Sequence, residues 1–360
     1  MTASSCCPAA LRLAENRVWR TYLGGSTLDR IAGKPVCEDT HFPEDWLLSA
    51  TRAVNAGRED IVEGESQVLL PDGAAPLSQV LQAFPEAMFG AKHLARFGTD
   101  PRFLLKYLDS SVRLHIQCHP TIPFAKKFLN SDSGKSEAYY ILGIRPGAEG
   151  YIYLGLQRPP ERAAFRKMIV EQDIPALLGC FDKIPVKPGD AFFVPGGLPH
   201  AIGEGVFMVE LMEPTDLAVR IEFERGGYVL PEKARFMDRG VDFALDMFDF
   251  RPRSVADIRR EQFVTPVSLP ISGKGKRSSL FDRRCTECFR AEEIVLAGDA
   301  AMDNDSFRVL VVTKGCGTLS ADGTEMELAQ YERVLIPAAT RRLAFRTGGM
   351  TLYSALPPEA

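Results

Sequence analysis

The segment that most limits the possible folds is Gly189-Asp190-Ala191-Phe192-Phe193-Val194-Pro195-Gly196-Gly197-Leu198-Pro199-His200. Its apolar run, Ala191 to Val194, is too short for a helix and is bounded by Gly-Asp and Pro-Gly-Gly, so it reads as a buried strand. Pro-Gly-Gly forces a tight reversal, which aims His200 into the mouth of a β-structure. A plainer outcome is a turn followed by a histidine whose hydrogen bonds are satisfied locally.

Much of the remaining chain has the same character. Strand-like alternation runs through Arg113–Pro120 and Glu137–Ile144, then Ile184–Val186, Val206–Leu211 and Ala218–Phe223. Residues 76–108 place Leu77, Val80, Leu81, Phe84, Met88, Leu94, Leu104 and Leu108 at roughly helical spacing, broken by Pro85 and the Gly98–Pro101 turn, which predicts two or three short helices. A second helical stretch is predicted over 160–181. After a polar bridge around 251–284, strands return at Phe289–Leu296, Phe307–Thr313, Gly317–Leu319, Tyr331–Ile336 and Leu343–Phe345. The phrasing of 314–345 echoes that of 183–205, which suggests two barrel-like units from one duplication.

Composition excludes several classes of function. Forty-three basic against 47 acidic residues leave a net charge of −4, too mild for a general nucleic-acid or acidic-membrane binder, so an anionic ligand needs a local basic patch. No run of about 18 apolar residues exists, and the first residues lack a basic start followed by an apolar stretch, so secretion and membrane spanning are disfavoured and a cytoplasmic location is expected. Eight cysteines scattered over 360 residues suit reduced thiols. Cys285 and Cys288 form a CxxC without a second pair, and read as accidental spacing. Cys6 and Cys7 fall in a terminus expected to be mobile, and His41 and His93 read as surface or packing residues.

In Leu114-His115-Ile116-Gln117-Cys118-His119-Pro120, a period of two puts His115, Gln117 and His119 on one face and Cys118 on the other. Donors two residues apart on a strand are a natural grip for a metal. An exposed polar face would use the same pattern, but Pro120 closing the strand and Glu137 opening the next favour a site.

The 189–200 block matches the second cupin motif. Together with LHIQCHP, GKSEAYYIL and VELMEPTDLAVR it resembles the class I mannose-6-phosphate isomerases, whose segments read LSIQVHP, GKxE, PGD…PAGxxHAxG and E…SDxxxR in the same order. The resemblance covers residues 17–230, including an opening like W-x-x-Y-x-G-G at Trp19–Gly25. Two positions depart from it: His115 stands where that family commonly has Ser, and Trp46-Leu47-Leu48-Ser49 stands where it has W-E-x-S.

The resemblance implies a mainly β fold of two cupin, jelly-roll-like barrels, with short helices inserted in the N-terminal catalytic part. Residues 1–250 would form the catalytic unit and 251–360 a C-terminal cupin-like unit without a metal site: Pro195 is followed five residues later by His200, but Pro337 by Arg342. It places one zinc ion per chain on Gln117, His119, Glu137 and His200, a donor set also open to manganese, iron or cobalt. Glu210 and Lys135 become candidates for the general base, Arg220 for a phosphate or enediolate partner, and Lys106 and His115 for substrate contacts. The implied activity is interconversion of mannose 6-phosphate and fructose 6-phosphate through an enediol, by a monomer or weak homo-oligomer whose partner is a small sugar phosphate. An iron cupin oxygenase and a non-catalytic sugar-phosphate-binding cupin are the alternatives; the former usually carries HxH where this chain has Gln117-Cys118-His119.

Overall fold

Short, strongly apolar strands dominate the chain, and the computed structural model, which describes residues 7–360, is accordingly mainly β with few and short helices. All of its strand pairings are antiparallel among the described residues, and three sheets carry the architecture. Cys6 lies outside the described residues, whereas Cys7 packs against the largest core.

A six-stranded sheet runs Ala191–Val194, Glu137–Ile144, Val206–Met212, Leu104–Asp109, Glu44–Leu48, Arg17–Val18. A five-stranded sheet runs Ile184–Pro185, Tyr151–Leu154, His200–Ile202, Gln117–Cys118, Val219–Arg220. Apolar side chains of both, among them Leu108, Tyr139, Ile141, Leu154, Ile202 and Met208, form one buried cluster, so the two sheets face each other. Burying each such Leu or Ile contributes about 1.5–3 kcal/mol, which makes this cluster the main force closing the sheets.

Strand periodicity decides what the other faces meet. Ala138, Tyr140, Val209 and Leu211 point away from the five-stranded sheet and pack with Phe281, Phe289, Val309 and Tyr353 from the C-terminal strands. Cys118, Tyr153, Ala201 and Val219 pack on the opposite side with Phe165, Ile169, Leu177 and Leu245, from the helices Arg162–Glu171, Ile174–Gly179 and Gly240–Leu245. The order of layers is therefore helices, five-stranded sheet, six-stranded sheet and C-terminal sheet.

The third sheet has ten strands, built on Arg290–Asp303, Arg342–Leu356 and Arg308–Ala321. It also takes strands from the N-terminal part: Leu11–Leu13 pairs with Arg333–Ile336 and, on its other side, with Gln67–Leu70.

The helical reading of 76–108 holds for Leu77–Ala83 and Pro85–Phe97, but Leu104–Asp109 is a strand. Every residue of LLKYLD is buried, so neither face is left to solvent and the period-two signal is absent. The polar bridge likewise conceals helix Val255–Glu261 and the ten-residue strand Ser272–Phe281. The first half of that strand, rich in Gly and Lys, is largely exposed near the sheet edge, where polar residues suppress unwanted pairing.

Candidate metal centre

The two histidine-bearing motifs meet because the chain leaves little room between them. Gln117 lies directly opposite His200 across one strand pair and opposite Arg220 across the next. The Gly197 N–H donates to the His119 carbonyl at 2.7 Å. A Cβ on Gly196 would sit 2.6 Å from the Pro120 carbonyl oxygen, and Gly197 has φ of 88°, so both glycines are required for the turn to lie on the exit of the first motif. Glu137 is set by a third contact: the Glu213 carboxylate accepts from the N–H groups of Gly134 and Ser136 at 2.9 and 3.0 Å, pinning the loop before the strand.

The outcome is a buried group of His119, Glu137 and His200, each 1% exposed, whose ligating atoms lie within 4.8 Å of one another. His119 Nε2 is 3.1 Å from Glu137 Oε1, and His200 Nε2 is 3.2 Å from Glu137 Oε2. Both imidazoles turn Nδ1 to a carbonyl, His119 to Leu217 and His200 to Leu198, at 2.9 Å each. A carbonyl can only accept, so Nδ1 holds the proton and Nε2 presents its lone pair inward. Burial, more than the opposing attraction of Glu137, pushes the His119 imidazole down to about 3, so it is neutral at working pH. Glu137 is held well below the ordinary carboxylate range: burial opposes this, but the Lys135 ammonium at 3.2 Å favours the charged form.

Acceptor lone pairs thus face a carboxylate at 3.1–3.2 Å with no proton between them, and His119 Nε2 has no hydrogen-bond partner. Donors about 2.0–2.1 Å from a tetrahedral zinc lie roughly 3.3 Å apart, so the spacing and chemistry fit a divalent cation. Gln117 Nε2 lies 3.3 Å from His200 Nε2, and a half-turn of the amide brings Oε1 to that place as a fourth ligand. The carbonyl partners of the Nδ1 atoms are the usual outer contacts that orient ligating imidazoles.

Beside this group a narrow cleft opens between the two sheets. Period two brings Glu44, Lys106, Glu210 and Glu137 to it from adjacent strands of the six-stranded sheet. Lys106 bridges Glu44 at 3.1 Å and Glu210 at 3.2 Å. Glu44 also accepts from Tyr22 OH at 2.5 Å, Trp46 Nε1 at 2.7 Å and, more loosely, Arg20 Nε at 3.6 Å. Burial opposes its ionisation, yet Lys106 and Arg20 bring it down to about 2. Arg20 forms a two-bond fork with Asp216 at 2.8 and 2.9 Å.

Glu210 differs from Glu44. Burial is the largest effect on it, Lys106 opposes, Glu137 adds repulsion, and its carboxyl is pushed up to about 8. Lys135 pairs with Glu137 at 3.2 Å. Arg220, in contrast to the other cations of the cleft, makes no hydrogen bond or ion pair among the described residues. His115 also lines the cleft and is 2% exposed; its Nδ1 donates to the Glu222 carbonyl at 3.0 Å and its Nε2 is unpartnered. Burial, then the nearby Arg220 charge, takes its imidazole down to about 4.

The structure thus brings together all nine residues singled out from the sequence, Lys106 as a cation already shared by two carboxylates. Sequence reasoning missed Arg20, Tyr22, Glu44, Tyr139 and Asp216. Arg20, Tyr22, Tyr139 and Asp216 lie inside the motifs given above, though at positions those motifs leave without a role, whereas Glu44 resembles an ordinary strand residue until its buried partners are seen. His41 and His93 are packing residues: His41 stacks on Trp19 at 5.1 Å and His93 on Phe89 at 4.6 Å. In the C-terminal part, Arg342 is largely exposed and lies 3.8 Å from Asp303.

The resemblance carried by the motifs extends to known proteins. The chain is 31% identical over 228 residues to the mannose-6-phosphate isomerase of Streptococcus mutans, a match covering 63% of this chain and 64% of that protein, so under two thirds of the relative's length is spanned. The crystal structure of the Bacillus subtilis mannose 6-phosphate isomerase superposes with a TM-score of 0.76 at 21% identity, covering 97% of this chain and 99% of that one. A zinc-bound mannose 6-phosphate isomerase superposes at 0.71 with 16% identity, covering 98% and 100%. The fold is therefore shared across nearly the whole chain. No family model matches it.

Proposed function

We propose that this chain, which has the motifs and the fold of the mannose-6-phosphate isomerases, is a cupin-type, zinc-dependent aldose–ketose isomerase that interconverts mannose 6-phosphate and fructose 6-phosphate in the cytoplasm. The observation that carries the reading is the inward-facing His119–Glu137–His200 group beside a cleft holding both a high-pKa carboxyl and an unpaired arginine.

Gln117, His119, Glu137 and His200 would hold one zinc ion. When bound, zinc supplies Lewis-acid stabilisation of negative charge on the C1 and C2 oxygens, a contribution of several kcal/mol. Glu210 carries the proton between C2 and C1. A carboxyl near 8 can both take a proton and return it around neutrality, and such proton transfer contributes about 10²–10⁴-fold in rate. Lys106 at 3.2 Å holds Glu210 in place, and its own charge is stabilised by Glu44. Lys135 bonds Glu137 and flanks the reacting carbons. Arg220 offers its planar fork to the phosphate, and His115, with its bare Nε2, accepts from a sugar hydroxyl. Residues 1–250 supply the site. Residues 251–360, together with the N-terminal strands that join their sheet, act as its support.

A coupled assay of mannose 6-phosphate conversion, run before and after chelator treatment and after zinc is restored, tests this reading. Turnover that is lost with the metal and regained with zinc is the expected result. Turnover indifferent to the chelator, or none at all, would overturn it.

A further inference from the structure

Tyr139 belongs to the cleft face of the strand Glu137–Ile144, one alternation beyond Glu137. Its ring is 1% exposed and packs edge-on against Phe192 at 5.1 Å, while Phe192 stacks on Phe263 at 5.1 Å. A phenol hydroxyl in such an apolar cluster needs a polar partner. It finds one: Tyr139 OH donates to Glu137 Oε2, the oxygen that faces His200, while Lys135 bonds Oε1, the oxygen that faces His119. Neither carboxylate oxygen can therefore swing away without breaking a charge-assisted bond.

We infer that Tyr139 is a positioning residue for the divalent ion, fixing the Glu137 carboxylate between the two imidazoles through its hydroxyl. The inference rests on the metal-site reading given above. The aromatic chain from Phe263 through Phe192 fixes the ring, the ring fixes the hydroxyl, and the hydroxyl fixes the ligand. Phe192 belongs to the same motif that delivers His200, so one strand–turn segment supplies a ligand and braces the residue that orients another.

Partners of metal-ligating groups usually change metal affinity by about 10–100-fold when removed, and that is the loss expected for Tyr139→Phe. Tyr140→Phe is the matched control. Tyr140 is also buried and also donates to a carboxylate, Glu293 at 2.6 Å, but it points to the opposite face, against Tyr353. Zinc affinity of the full-length chain is measured by competition with a chromogenic chelator, and the melting temperatures of the zinc-free forms are compared. Weaker zinc binding by Tyr139→Phe, with Tyr140→Phe like wild type, is the expected pattern. Equal affinity in Tyr139→Phe and wild type, or an equal loss in both variants, overturns the positioning role while leaving the metal site intact. A wild-type chain that does not bind zinc overturns the metal site and this inference together.

Discussion

Replacing Arg220 by alanine separates what this side chain does for folding from what it does for substrate. The guanidinium has no hydrogen bond or ion pair among the described residues; burial, then the neighbouring charge of Arg20, disfavours its cationic form. The free protein therefore gains little from it, and Arg220→Ala should melt no lower than wild type. Substrate is another matter. A charge-assisted hydrogen bond is worth about 1.5–3 kcal/mol, which at 1.36 kcal/mol per decade is a loss of roughly 10- to 150-fold in kcat/KM. In the proposed reaction the phosphate is remote from the reacting carbons and would be bound alike in ground and transition states, so the loss should fall on KM. Arg220→Lys retains charge but not the planar fork and should lie between. Steady-state kinetics of mannose 6-phosphate conversion, with thermal melts alongside, make the comparison. Wild-type kcat/KM in Arg220→Ala would refute the reasoning, and a loss confined to kcat would move Arg220 from the phosphate to the reacting oxygens.

His200→Ala should abolish both zinc retention and turnover, because it removes the imidazole that faces Glu137 Oε2 across the site; tight zinc in the purified variant would remove His200 from the ligand set. Glu210→Gln should lower kcat by about 10²–10⁴-fold. A base must be ionised, and burial raises the Glu210 carboxyl, so wild-type kcat/KM should rise with pH through a limb above the ordinary carboxylate range, and that limb should vanish in the glutamine variant; an unchanged profile would reassign the base to Lys135. Arg20→Ala should destabilise the fold by about 3–5 kcal/mol, since it strips the fork from buried Asp216, and denaturant titration would expose any smaller effect. Gly196→Ala should cost about 1–3 kcal/mol through the clash with Pro120 and should loosen zinc binding with it; a variant that melts and binds as wild type does would show that the turn can shift.

The parts of the site that could be read from the sequence are those whose chemistry is fixed by neighbours in the chain. Gln117 and His119 share a face because strand period demands it, and Gly196 and Gly197 announce a turn that few other residues could make. Even the two-residue strand at Gln117–Cys118 leaves that alternation intact, with Cys118 packed on the helical side. What stayed hidden depends on partners far away in sequence. Glu44 looks like any acidic residue at the start of a strand until Lys106, 62 residues later, and Tyr22 converge on it. Arg20 and Asp216, separated by 196 positions, are recognisable only as a pair. The strand Leu104–Asp109 was obscured for the opposite reason: a fully buried strand has no alternation to show, and three leucines at positions 104, 105 and 108 fit a helix equally well.

The C-terminal strands contribute no member to the His119–Glu137–His200 group, yet they bear on the chemistry through one strand. Asp45, next to Glu44, points away from the cleft and pairs with Arg333 at 3.0 Å, while Tyr107, next to Lys106, donates its hydroxyl to the Tyr331 carbonyl at 3.2 Å. Period two makes this arrangement unavoidable: if Glu44 and Lys106 face the cleft, their neighbours must face the other sheet. The same segment around 331–336 takes Leu11–Leu13 as its strand partner, so the chain that leads into Arg20 and Tyr22 is tied to it as well. Glu44 and Lys106, one end and the middle of the Glu44–Lys106–Glu210 chain of ion pairs, are thus held from behind by residues that line no part of the cleft. A fragment beginning near residue 255 would lack Leu11–Leu13, expose the edge it covers, and leave Arg333 without Asp45. Loss of Arg333 should consequently be read in overall stability, because it leaves buried Asp45 without its ion partner, and also in the kinetics of the cleft, through the set of Glu44.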